Sequence, residues 1–201
     1  MVERNATSRR SRRTPKPLDR TRLNDLALAY VARFATSAGK LRTYLNRKLR
    51  ERGWDGEEGP DIDGLVGKFV DRGYVDDRGF GRMKASGLLA RGYGARRVDE
   101  TLRSAGIDER LRDELAPAER EARQAAVSLA RRRRFGPFGI VHEDEPVEER
   151  HKRREKQLAA MVRAGHTFAH AQAVLSARDE SALDEWLEEG EETGPTTGTT
   201  A

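Results

Sequence analysis

The feature that most constrains the fold of this chain is a recurring stop, in which a helical stretch ends at a glycine and a large residue follows. The stop occurs at Gly53, Gly73, Gly106 and Gly165. Glycine tolerates the left-handed backbone that ends a helix, and the next residue can pack back on the last turn. Four such stops in 201 residues predict many short helices of similar design. The pattern therefore favours an all-α protein built from repeated helical units.

Two parts of the chain align with each other at a constant offset. The aligned positions are Leu45, Leu49, Gly53 and Trp54 in the first part, and Val98, Leu102, Gly106 and Ile107 in the second. A looser third copy ends at Gly165-His166. Each copy has apolar residues at helical spacing for about three helices. We therefore predict tandem three-helix repeats, three units in all, that form an elongated, curved array.

The predicted boundaries follow changes in composition along the chain. The three repeats span 23–75, 76–116 and 117–178, and the third contains a loop at 135–146. Residues 1–22 are expected to be a disordered basic arm with a net charge of +6, and residues 179–201 an acidic C-terminal tail with a net charge of -8. The body between them has a net charge of +7. A basic body with a basic arm predicts a polyanionic or acidic partner.

Composition argues against several classes of protein. The chain has no cysteine, which excludes disulfides and thiolate metal sites. His166 and His170 share a helix face, but Thr167 stands where a zinc protease motif needs glutamate, so we expect no metal site and no cofactor. We find no pattern of catalytic residues and expect a non-enzymatic protein. No apolar run is long enough to span a bilayer and no signal peptide is visible, so we expect a cytoplasmic protein without membrane contact.

Basic residues recur in every predicted unit, and this recurrence predicts a shared surface for a polyanion. Aromatic residues are sparse, which argues against a platform of stacked bases. The predicted contact residues are Arg47 and Lys48 in the first unit, Arg91, Arg96 and Arg97 in the second, and Arg131, Arg132, Arg133 and Arg134 in the third. Of the paired Asp76 and Asp77, one is expected to cap a helix and the other to lie near its dipole.

The order and spacing of these residues resemble the RecX family of recombination regulators over about residues 23–178. The resemblance depends most on Gly73, Tyr74, Asp76, Asp77 and Phe80, and continues at Gly94 and Gly106. These residues, which resemble the family signature, are expected to be mainly structural. The resemblance implies three tandem three-helix repeats. It also implies binding to the RecA filament on DNA, with inhibition of the ATPase, strand-exchange and coprotease activities of RecA.

Two kinds of function therefore stay open from the sequence. The first is a monomeric modulator of RecA that contacts the filament and, weakly or only together with RecA, the DNA phosphate backbone. The second is a regulator that binds DNA directly, because short trihelical units resemble helix-turn-helix domains. The two differ in whether binding to duplex DNA needs RecA.

Overall fold

A computed structural model describes residues 16–140 and 145–192, and within these residues every regular element is a helix. The α-helices are α1 Arg20–Arg33, α2 Ala38–Arg52, α3 Ile62–Asp71, α4 Asp77–Leu89, α5 Ala95–Ser104, α6 Glu109–Glu114, α7 Glu119–Arg133, α8 Val147–Arg163, α9 Phe168–Ser176 and α10 Glu180–Glu192. A short 3-10 turn, Gly136–Phe138, follows α7. The predicted all-α fold is confirmed.

The four predicted glycine stops have left-handed backbones. Their φ angles are 78° at Gly53, 72° at Gly73, 74° at Gly106 and 96° at Gly165. At Gly73, the amides of Tyr74 and Val75 both donate to the carbonyl of Phe69 and so close the last turn of α3. A residue with a Cβ is strained in this region of φ, so glycine is needed at each stop.

Three apolar clusters divide the described chain. The first lies among α1, α2 and α3, the second among α4, α5 and α6, and the third among α7, α8, α9 and α10. We call these groups of helices the first, second and third unit. That the units are copies of one repeat stays a prediction. Each cluster is small, which suits a chain in which 36% of residues are hydrophobic and 36% are charged.

The middle helices of the three units meet end to end. At the junction of the third and second units, the amides of Gly94 and Arg96 at the start of α5 donate to the carbonyls of Ala164 and Gly165 at the end of α8, at 3.0 and 3.1 Å. At the junction of the second and first units, Ser37 Oγ before α2 donates to the carbonyl of Ala105 at 2.5 Å. Carbonyls that lack an intrahelical partner at the end of one helix therefore accept hydrogen bonds from donors at the start of the next helix.

The predicted arm at residues 1–22 is wrong at its C-terminal boundary. Residues 1–15 lie outside the described residues, but Leu18 is fully buried in the first cluster and α1 begins at Arg20. The Leu18 amide donates to Gly53 O at 3.0 Å, and Leu18 O accepts from the Asp55 amide at 2.8 Å. This pairing covers the end of α2, and burial of the leucine side chain offsets the entropy lost by ordering the segment.

Residues 180–192 of the predicted acidic tail form a helix, α10, which packs against α7. Leu183 is 1% exposed in the third cluster, with Trp186 and Leu187 packed beside it. Arg123 of α7 holds the helix, because its Nη1 donates to Trp186 O at 2.5 Å and its guanidinium lies over the Trp186 ring at 4.8 Å. The acidic residues lie on a helix that buries an apolar stripe. Residues 193–201 lie outside the described part of the chain.

Candidate functional site

The predicted contact residues of the first unit lie on the C-terminal half of α2 and share one carboxylate. Lys48 Nζ is 2.6 Å from Glu51 Oε2, and Arg47 Nε is 3.8 Å from Glu51 Oε1. Both cations also lie within 6 Å of the Tyr44 ring, at 5.7 and 5.9 Å from its centroid. The Lys48 hydrogen bond, followed by nearby charges, lowers the pKa of the Glu51 carboxyl. One carboxylate thus offsets part of the charge of this pair.

The contact residues of the second unit surround its junction with the third. Arg91 precedes the turn at Gly92, and its guanidinium lies 5.6 Å from the Tyr93 ring centroid. The exposed Arg97 pairs with Glu100 at 3.4 Å. Arg96 is also exposed and, among the described residues, its side chain has no carboxylate partner. Within the described part of the chain, Arg91 and Arg96 are therefore the cations of this group without an ion pair, and Arg97 is paired.

The arginine run of the third unit ends α7. Arg131 pairs with Glu180 of α10 at 2.9 Å and lies over the Phe138 ring at 5.0 Å. Arg132, Arg133 and Arg134 are exposed and form no ion pair with a described residue. Arg134 has a left-handed backbone, with φ of 56°, at the helix end. Three unpaired guanidiniums at a helix C-terminus also interact favourably with the helix dipole.

The structure brings the elements of the second and third groups together and leaves the first apart. A Cβ at Gly92 would meet the backbone of Leu129, which places the turn after Arg91 against the last turns of α7. By contrast, Arg47 lies nine residues beyond Ala38, the α2 residue at the first junction, which is about 14 Å along the helix axis. That all three groups face one partner stays a prediction.

The paired aspartates are both helix caps, and one of them acts across a junction. Asp76 Oδ1 accepts from the Gly79 amide of its own helix at 2.9 Å. Asp77 Oδ1 accepts from the Ala38 amide, the first residue of α2, at 2.7 Å. Burial, opposed by that hydrogen bond, raises the pKa of the Asp77 carboxyl. The sequence predicted only an interaction with the helix dipole for one of the two aspartates, and did not predict this contact of Asp77 with another unit.

The remaining signature residues are mostly structural. Phe80 is in the second cluster, at 5% exposure. A Cβ on Gly94 would lie 2.5 Å from His166 N, and one on Gly106 would lie 2.8 Å from Gly39 Cα. These glycines therefore permit the close approach of backbones at the two junctions. Tyr74 is different, because its ring packs on Phe69 at 5.7 Å yet stays 55% exposed.

The two histidines that share a helical spacing have separate partners. His166 is 1% exposed and its Nε2 donates to Gly92 O at 3.0 Å, which adds a third hydrogen bond to the junction of the second and third units. Burial lowers the pKa of His166. His170 Nε2 instead lies 3.0 Å from Glu119 Oε1 of α7. The described residues contain no cluster of side chains able to hold a metal ion.

A cavity rich in arginine includes residues that the predicted contact set omits. Its lining includes five guanidiniums, from Arg134, Arg150, Arg153, Arg154 and Arg178, and its volume is about 540 Å³. A second groove of about 730 Å³, between α4 and α7, is lined by residues of both charges. The run of basic residues on α8 is visible in the sequence and could have indicated this cavity. Arg178 lies after α9 and joins the cavity only because the chain folds back on α8. None of the described helices combines the length and apolar character needed to cross a bilayer.

Comparison with known proteins finds relatives that are all named regulatory protein RecX. The chain is 32% identical over 174 residues to the regulatory protein RecX of Myxococcus xanthus, which covers 83% of this chain and 90% of the relative. It is 33% identical over 109 residues to the regulatory protein RecX of Thermus thermophilus, with 54% of this chain and 71% of the relative covered. No family model matches the chain.

A solved structure has the same arrangement of helices. The crystal structure of RecX from Lactobacillus salivarius superposes with a TM-score of 0.57 over 84% of this chain and 96% of that one. The sequence identity is 12%, so this likeness concerns the fold alone.

Proposed function

This chain belongs to the RecX family, and we propose that it regulates the RecA recombinase. The observation that carries the proposal is the similarity to a regulatory protein RecX over 90% of that relative's length. The proposed regulator is non-enzymatic, needs no cofactor, and acts as a cytoplasmic monomer.

In the finer form of the proposal, the protein binds the RecA–DNA filament and inhibits its ATPase, strand-exchange and coprotease activities. A helical polymer offers the same contacts at regular intervals, and units joined in series suit such a target. Contacts made at several protomers together oppose the motions that couple ATP turnover to strand exchange. The DNA phosphate backbone is a further contact, which is either weak or made only together with RecA.

Two features of the structure support this mechanism. The end-to-end junctions of α8 with α5 and of α5 with α2 fix neighbouring units through short backbone contacts. Of the predicted contact residues, Arg91, Arg96 and Arg132–Arg134 are exposed arginines without carboxylate partners among the described residues, and they belong to the second and third units. Unpaired guanidiniums bind carboxylates and phosphates without first breaking an internal ion pair.

Charge reversal at the junction tests the proposal. The variant Arg96→Glu with Arg97→Glu should raise the concentration needed to inhibit the DNA-dependent ATPase of RecA by about tenfold or more. A matched control, Arg103→Glu with Arg110→Glu, changes the charge equally in the same unit at exposed residues that pair with Asp99 and Glu114. The control should inhibit nearly as well as the native protein. Equal loss in both variants, with helical content intact, would show that this contact assignment is wrong.

The alternative is a regulator that binds duplex DNA directly, in the manner of a helix-turn-helix protein. The run Arg132–Arg134 at the end of α7, which forms no ion pair with a described residue, favours this alternative. Such a protein should bind duplex DNA without RecA and lose affinity steeply as salt increases. A filament modulator should instead inhibit at concentrations far below its own dissociation constant for DNA.

A further inference from the structure

The basic cavity between the 3-10 turn, α8 and α9 has the character of an anion site. We call it the arginine pocket, lined by Arg134, Arg150, Arg153, Arg154 and Arg178 together with His151. Its volume of about 540 Å³ falls in the range of small-ligand sites. Guanidiniums that converge on one cavity repel each other, and a bound anion would remove that cost.

Within the described residues, the arginine pocket has more cationic side chains than ion-paired carboxylates. Arg153 pairs with Glu145 at 2.8 Å, and Arg178 pairs with Asp179 at 3.1 Å. The other three guanidiniums have no carboxylate partner among the described residues. Counted over residues 16–140 and 145–192, a surplus of three guanidiniums without an ion pair therefore lines the cavity.

One of the three surplus arginines is already oriented by the backbone. Arg154 Nη1 donates to Leu175 O at 3.0 Å, and its Nη2 donates to Ser176 Oγ. These bonds hold the guanidinium on the wall between α8 and α9. A guanidinium that is held in place loses less entropy when it binds an anion, because its rotamers are already restricted.

A largely apolar notch adjoins the arginine pocket and shares residues with it. The notch, about 230 Å³, is lined by Leu158, Phe168 and Leu175 and by the polar side chains of Glu155 and Gln172, and His151, Arg154 and Leu175 line both cavities. Phe168 is 60% exposed, although it is a large aromatic residue at the start of α9. A ligand that fills both cavities must therefore carry an anionic group next to a flat or apolar group.

We propose that the arginine pocket and the notch together bind one nucleotide unit, with the phosphate among the arginines and the base against Phe168. A phosphate has several free oxygens and can accept hydrogen bonds from more than one guanidinium group. The two oxygens of a carboxylate are both occupied by a single bidentate guanidinium. Aromatic side chains stack on any base, so Phe168 needs no particular sequence. An acidic peptide is the competing ligand. Its carboxylates would leave most of these guanidinium groups without a hydrogen-bond acceptor.

The test measures binding by the full chain alone, without RecA. The probe is an oligothymidylate of about 12 nucleotides with a 5′ phosphate and a fluorophore at its 3′ end, followed by fluorescence anisotropy. The variant Arg150→Glu with Arg178→Glu should raise the dissociation constant about tenfold or more. Among residues 16–140 and 145–192, Arg150 donates only to Glu145 O and Arg178 pairs only with its neighbour Asp179, so neither side chain joins distant parts of this region.

The matched control is Lys152→Glu with Lys156→Glu, on the helix of Arg150 and with the same change of charge but outside the pocket lining. Its effect should be about threefold or less, because both lysines are exposed to solvent and do not line the cavity, and salt screens exposed charges. Phe168→Ala should weaken binding about fivefold or more and leave helical content unchanged, since its ring is exposed.

Competition identifies the ligand. Displacement of the probe by a free nucleotide as well as by unlabelled oligonucleotide supports a site for one nucleotide. Displacement by oligonucleotide alone supports a nucleotide unit within a strand. Equal weakening in the arginine and lysine variants, no effect of Phe168→Ala, or stronger displacement by polyglutamate than by oligonucleotide would each overturn the proposal. Since RecA is absent, failure of this test does not contradict the proposed regulation of RecA. Likewise, failure of the RecA experiments does not contradict nucleotide binding in the arginine pocket.

Discussion

Replacing Gly94 by alanine tests the contact that joins the second and third units. The φ angle of Gly94 is -83°, so its backbone conformation is open to alanine. The new Cβ would however lie 2.5 Å from His166 N and closer still to the carbonyl group of Gly165. All of these neighbours are backbone atoms and cannot rotate away. The two units must therefore move apart for the alanine to fit.

The size of the effect follows from what this movement breaks. The bonds from the Gly94 and Arg96 amides to the carbonyls of α8 are lost, at about 1 kcal/mol each. Residual overpacking costs about 1–3 kcal/mol more. The variant should thus lose about 3–5 kcal/mol of unfolding free energy. For a chain of this length, that corresponds to a decrease in Tm of about 6–20 °C.

Urea unfolding followed by circular dichroism measures the loss. The matched control is Gly87→Ala, in the exposed interior of α4, where an added Cβ meets nothing within 4 Å. That control should stabilise the protein by about 0.5–1 kcal/mol, because alanine favours a helix over glycine. A junction that has been weakened also allows the units to unfold in two separate transitions. If Gly94→Ala unfolds at the same urea concentration as the native protein, the end-to-end junction does not contribute as described.

Substitutions at three further residues test groups that the fold buries wholly or in part. Burial lowers the pKa of His166, so the unfolded state binds more protons below pH 6.5. Stability should therefore decrease by up to about 1.4 kcal/mol per pH unit from pH 6.5 toward 5, and this slope should be absent in urea titrations of His166→Gln. Asp77→Ala should cost about 0.5–2 kcal/mol by removing the cap on α2, whereas Asp77→Asn keeps an acceptor. Because burial raises the pKa of the Asp77 carboxyl, the native protein should gain stability relative to Asp77→Asn as the pH falls toward 3.8, and the opposite trend would contradict this environment. Leu183→Ala should cost about 2–5 kcal/mol in thermal unfolding, and the exposed control Glu185→Ala almost nothing.

Features that depend on local backbone were predictable from the sequence. The glycine stops at Gly53, Gly73, Gly106 and Gly165 were found because a left-handed residue after an amphipathic stretch is a local requirement. Serine is a favoured N-cap residue, and the Oγ of Ser37 before α2 accepts from the Lys40 amide. Its second bond, to Ala105 O, lacks a local signal because the partner lies 68 residues away.

Contacts between units were not predictable for the same reason. Asp77 resembles an ordinary residue of a first helical turn until the Ala38 amide is placed against it. His166 resembles a surface histidine until Gly92 O lies beside it. In the arginine pocket, Arg178 is distant in sequence from the arginines of α8, and only the folded chain brings them to one cavity. By contrast, α10 left a signal, because Leu183, Trp186 and Leu187 have helical spacing within the acidic run.

The measurement that most directly tests the proposed regulator is co-sedimentation with RecA filaments. RecA is assembled on single-stranded DNA with a slowly hydrolysed ATP analogue, and parallel samples omit the nucleotide, the DNA or RecA. We predict that the protein sediments with assembled filaments and much less with DNA alone or with RecA lacking nucleotide. Equal sedimentation with DNA in the presence and absence of RecA, or no association with filaments, would contradict the account.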